Sequence, residues 1–173
     1  MKLTLLRCAT VVALLAAASS WAARGHEHGV AQVDVALDGS KLSIQFESPL
    51  ENLVGFERAP RNEAERRAVE QALARLADPA LWQPDAAAQC KAGTPRVRAP
   101  SFQKGSPGQA GEHADVEAAV EFDCARVQEL RAVQVLLFKS FPRLKRAEVQ
   151  LATARGQAKA TLRAATATIT LPR

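Results

Sequence analysis

Three histidines occur in the chain, and two of them, His26 and His28, flank Glu27 in a His-Glu-His triplet. Imidazole is the commonest protein metal ligand. On a strand, rings spaced i, i+2 point to one face. The third histidine, His113, heads a second alternating segment that continues through Asp115. If the two segments are neighbouring strands, two or three imidazoles and one carboxylate converge. That donor set suits tetrahedral Zn2+, with nitrogen at about 2.0–2.1 Å. Glu27 alternates to the opposite face and is the weaker candidate. The bland alternatives are a frayed, solvated chain end for the triplet and a plain polar strand position for His113. A different metal chemistry depends on processing. A chain beginning at Arg24 would offer an amine, two backbone amides and the His26 imidazole, a square-planar set for Cu(II) or Ni(II). Trp21 at −3 argues against that cut.

The triplet follows a leader-like segment. Lys2 and Arg7 make a basic start, and Cys8 to Ala18 is an apolar run. It is too short to span a bilayer, which takes about 20 apolar residues. Ser20 and Ala22 place small residues at −3 and −1, so residues 1–22 are expected to be a cleaved signal peptide. Cys8 leaves with it. No later apolar run is long enough to span a membrane, so a periplasmic, secreted domain over residues 23–173 is expected, a length that supports a real core. Without Lys2 and Arg7, 21 basic residues face 18 acidic ones. The basic residues are scattered (Arg58, Arg61, Arg66, Arg67, then Arg143, Lys145, Arg146) and read as solvated surface. No aromatic-lined basic stripe exists, which argues against nucleic acid as a partner.

Two cysteines remain after export, Cys90 and Cys124. In an oxidising compartment such a pair is most simply a disulfide, contributing roughly 3–4 kcal/mol for a loop of about 35 residues. A pair of metal thiolates is the competing reading, weakened by the absence of CxxC spacing. Catalytic signatures are missing. There is no Gly-rich phosphate loop, nucleophile elbow or zinc-protease motif, so the chain is not expected to be an enzyme.

The elements that must position these residues are mostly strands. Residues 28–37 alternate, with Ala31, Val33, Val35 and Leu37 on one face. Asp38-Gly39 is a hairpin-turn signal, and 41–47 return with Leu42, Ile44 and Phe46 inward. A short helix is expected within Pro49–Phe56. Asn62 caps a longer one, with Glu65 at capping-box spacing and Val69, Ala72, Leu73 and Leu76 as its buried stripe. Glu63/Arg67 and Arg66/Glu70 are expected as i, i+4 pairs. Asp78-Pro79 ends the helix, and Trp82 is expected to plug the core. A strand around Cys90 within 86–98, an exposed loop at 99–111 and an alternating strand at 113–124 follow. The last third suggests a strand at 131–137, a helical turn at Phe138–Phe141 and three short antiparallel strands at 146–153, 157–163 and 166–171. The fold class is α+β: a single domain with a mainly antiparallel sheet, one longer helix and one or two short ones.

The ordered segments HEHGVAQVDVALDG, ESPLENLVGFE, AAAQC, HADVEAAVEFDC and LLFKSFP carry a resemblance over essentially the whole chain after the leader. They resemble the small bacterial periplasmic proteins of the ZrgA type, associated with zinc uptake. The resemblance implies a periplasmic zinc-binding protein working with an inner-membrane metal transporter. It carries His26, His28, His113 and Asp115 over as candidate ligands, and Cys90 and Cys124 as the family's two cysteines. Two departures stand out. The 99–111 loop lacks the histidines common before the HAD segment, and Arg58 stands where many members have a histidine. A cation close to the site would repel a divalent metal. The alternative from another class is a scaffold without metal, docking through its sheet edge or the 99–111 loop.

Overall fold

The computed structural model describes residues 27–99, 114–164 and 167–172. The expected leader at 1–22, His26, His113 and all but the first residue of the 99–111 loop lie outside the described residues. The described chain opens with the hairpin that its alternation predicts. β1 (Val30–Asp38) and β2 (Lys41–Pro49) pair antiparallel, Val35 against Ile44 and Val33 against Phe46. The last pair, Asp38 with Lys41, leaves Gly39-Ser40 as the turn, one residue later than the Asp-Gly signal suggests. Val33, Val35, Leu42, Ile44 and Phe46 are buried, as period-two patterning requires.

α1 (Glu51–Val54) follows β2 directly, and α2 (Glu63–Leu76) begins at the Asn62 cap, whose side chain accepts the Glu65 N–H at 2.9 Å. Val69, Ala72 and Leu76 are buried along α2, with Leu73 half-buried. Glu63 binds Arg67 as expected, but Arg66 turns back to Glu63 at i, i+3 rather than forward to Glu70. One carboxylate near the helix start thereby serves both arginines. Trp82 in β3 (Trp82–Pro84) is buried; enclosing a large apolar side chain of this kind stabilises by about 2–3 kcal/mol.

β4 (Cys90–Ala92) and β5 (Arg96–Arg98) are short strands on either side of Gly93, both paired with β6 (Asp115–Cys124). Cys90 lies opposite Cys124 and the two form a disulfide, which removes the thiolate reading. After β7 (Ala132–Val135) and α3 (Leu137–Ser140) come β8 (Arg146–Thr153), β9 (Gly156–Leu162) and β10 (Thr168–Thr170).

The strands build two sheets. The larger has seven strands in the order β4-β6-β2-β1-β8-β9, with β5 also on β6; the smaller runs β10-β7-β3. Two features correct the expected run of three antiparallel strands. β8 joins β1 in parallel, Val30 beside Arg146 and Leu37 beside Thr153. β10 leaves β9 and pairs with β7 in the smaller sheet. Period-two patterning says which face of a strand is buried, but not which neighbour it takes. The core lies between the sheets. Val116, Val120, Val149 and Leu151 of the large sheet join one apolar cluster with Val133, Val135 and Ile169 of the small sheet and with Leu76 of α2. No helix among the described residues is long and apolar enough to cross a membrane. The architecture is α+β and mainly antiparallel.

Candidate functional site

One end of the large sheet gathers the segments that carry the sequence candidates. Val30 pairs with Arg146 and Pro49 with Asp115, so the starts of β1, β6 and β8 share a rim with the end of β2. β1 and β6 are not neighbours. β2 lies between them, about 10 Å across two strand spacings. The link between their entrances is α1 instead. The Leu50 N–H donates to the Ala114 carbonyl at 2.8 Å, tying the start of α1 to the entrance of β6. Asn52 ties the same helix to the entrance of β1. Its Oδ1 accepts the Gly29 N–H at 2.6 Å, and its Nδ2 donates to the Val30 carbonyl at 2.9 Å and to Ser48 Oγ at 3.1 Å. Asn52 is 3% exposed. Each of those backbone groups would otherwise be a buried orphan.

This frame holds His28 beside Glu51. His28 Nδ1 lies 2.8 Å from Glu51 Oε2. An ionised carboxylate only accepts, so Nδ1 carries the proton. In the neutral ring the lone pair is then on Nε2, the atom a metal needs. A carboxylate behind an imidazole in this way fixes its tautomer and ring orientation. The His28 side chain is 79% exposed and therefore accessible. Glu27 is engaged elsewhere, in a two-pronged pair with Arg146 at 3.0 and 2.6 Å. Asp115 is half-buried at the first position of β6.

Of the four expected ligands, His28 and Asp115 are described, at the same end of the sheet; His26 and His113 lie outside the described residues. Among the described residues no group of three or more His, Cys, Asp or Glu side chains is close enough to hold a metal ion. Arg58, the residue whose charge threatened the site, is neutralised. It holds Glu65 with two bonds of 2.6 and 2.8 Å and lies over the Phe56 ring. Arg58, aided by the Arg61 N–H, holds the Glu65 carboxyl at about 2.

His28 and Glu51 also line an open cleft of about 550 Å3, together with Gly29, Pro142, Arg143 and Lys145. Gly29 in its lining and Gly55 beside Arg143 both have positive φ. A Cβ at Gly29 would stand 2.9 Å from Lys145 Cγ, and one at Gly55 would stand 2.8 Å from Arg143 Cζ. Both basic side chains therefore lie directly against glycine backbone.

Sequence reasoning missed Glu51, Asn52, Arg143 and Lys145 as parts of this corner. The signal available for Asn52 was a polar residue on a short helix otherwise marked by Leu50, Leu53 and Val54. The two basic residues carried no signal beyond charge.

A search of curated proteins returns no match to this chain. The description "ZrgA family zinc uptake protein" matches residues 25–171, a span that includes the triplet, both cysteines and all ten described strands. The corner just described lies within the matched span, and the chain belongs to the ZrgA family of zinc uptake proteins.

Proposed function

We propose that the protein binds zinc in the periplasm and hands it to an inner-membrane transporter, with no chemistry of its own. The signal peptide at 1–22 delivers it there, and the domain from residue 23 onward does the binding. Its ligands are drawn from His26, His28, His113 and Asp115. The observation that supports this most is the His28–Glu51 contact of 2.8 Å on an exposed corner. It prepares Nε2 as a donor at the rim where the chain enters both β1 and β6. Membership of a family named for zinc uptake supports the choice of metal.

Elemental analysis of protein purified without chelator, followed by Zn2+ titration calorimetry, tests the reading. One zinc per chain is expected, with His28→Ala and His113→Ala each weakening binding at least about tenfold, the equivalent of roughly 1.4 kcal/mol. Unchanged affinity in both variants removes this site. Absence of stoichiometric zinc favours the scaffold reading instead.

A further inference from the structure

We propose that the cleft beside His28 takes its metal together with a small oxyanion, a carboxylate or a phosphate. The anion would lie between the ion on the His28 side and the two cations on the Arg143 and Lys145 side. This rests on the zinc reading above and concerns what accompanies the ion.

Three observations carry it. The first is shared lining. His28, Arg143 and Lys145 all line this one open cleft, so a molecule seated there meets the imidazole and both cations together.

The second is charge. Neighbouring arginines are matched: Arg146 by Glu27 and Glu148, and Arg58 by Glu65. Arg143 and Lys145 have no carboxylate partner among the described residues; Lys145 Nζ donates only to the Pro142 carbonyl, at 3.2 Å. Two unmatched cations repel a bare dication on His28. An anion between them attracts both sides, and a guanidinium fork suits planar carboxylate and phosphate oxygens.

The third is placement. The Lys145 stem lies against Gly29 and the Arg143 guanidinium against Gly55, both positions where the backbone has no Cβ. The Lys145 N–H also donates to the Gly29 carbonyl at 2.8 Å. Lys145 is therefore seated on the residue that follows His28, and Arg143 on the end of α1, the helix that carries Glu51.

The test holds free Zn2+ constant with a metal-ion buffer and adds citrate or inorganic phosphate as the probe. Protein-bound zinc is measured by elemental analysis after rapid desalting. Binding of the anion and the metal should be mutually reinforcing, raising apparent zinc affinity at least about fivefold in the full protein. Enhancement by citrate alone assigns a carboxylate, by phosphate alone a phosphate, and either supports the proposal. In Arg143→Gln/Lys145→Gln the enhancement should fall below about twofold, and anion-free zinc affinity should rise as the repulsion on the ion is relieved. Zinc binding that ignores both anions overturns this inference and leaves the zinc reading standing. An enhancement that survives in the double variant also overturns it. Zinc absent from every arm overturns both. Where the double variant fails to fold, Arg143→Gln and Lys145→Gln alone are read in its place, and an enhancement undiminished in both overturns the proposal.

Discussion

The segment from Glu51 to Glu65 carries an acid–base contact at each end, and the two are closed to different degrees. At the far end Arg58 and Glu65 share two bonds, Glu65 also takes the Arg61 N–H, and the side chains are 38% and 21% exposed. At the near end His28 meets Glu51 through one contact, with the side chains 79% and 37% exposed. The first pair has spent its hydrogen-bonding capacity on the fold. The second leaves an imidazole nitrogen and a carboxylate oxygen uncommitted. The two carboxylates are of one residue type and differ in how many donors crowd them.

Asn52→Ala is the strongest way to break the comparison. It removes three hydrogen bonds and strands the Gly29 N–H and Val30 carbonyl, so a loss of about 3 kcal/mol by chemical denaturation is expected. Zinc affinity should fall with it, because His28 loses its frame. Asn52→Asp keeps the acceptor for Gly29 but sets a buried carboxylate against the Val30 carbonyl, so at neutral pH it should be at least as destabilising.

Acid separates the two ends next. Protonated imidazole cannot ligate, so zinc binding should weaken on acidification. The Glu65 pair should persist much further. Its folded carboxyl titrates at about 2 against an ordinary 4.5, so it binds fewer protons folded than unfolded. Its contribution is fully present above about 4.5 and lost as pH falls toward 2. Denaturation of wild type and Glu65→Gln at a series of pH values should show a gap that narrows across that window. A gap that stays constant would mean that Glu65 acts by shape and not by charge.

The smallest expected effect sharpens the contrast. Glu65→Gln at pH 7 should lower the thermal midpoint slightly and leave zinc affinity unchanged. Glu51→Gln should do the reverse, weakening zinc a few-fold with little change in the midpoint, because its side chain supports an exposed ring. Equal effects of the two variants on zinc would erase the distinction drawn here.

Much of the scaffold was legible from residue order. The hairpin of β1 and β2, the α2 stripe, the Asn62 cap, the inward faces of β6 and the burial of Trp82 all follow from periodicity and capping chemistry, which act over a few residues. The partner choices did not. β8 beside β1 and β10 beside β7 join residues more than thirty positions apart, and period two carries no information about which distant strand is met. The corner was half legible for the same reason. His28 announces itself by type and spacing. Glu51 becomes its partner only because α1 folds back over the β1 entrance, and Arg143 and Lys145 reach the cleft only because β8 lies next to β1. The premise that β1 and β6 touch fails because the hairpin's own second strand fills the place between them.

The parallel seam between β1 and β8 has a temporal meaning. A hairpin can zip as soon as its turn is made, but this seam must wait until the chain has been extended by more than a hundred residues. Lys145 and Arg146 both close onto the Gly29 carbonyl at that seam. The cleft therefore has no second wall until nearly the last strand has docked. A nascent or clipped polypeptide lacking β8 would carry the His-Glu-His triplet without the matching cations, so this corner would be assembled late, by a segment made long after its first wall.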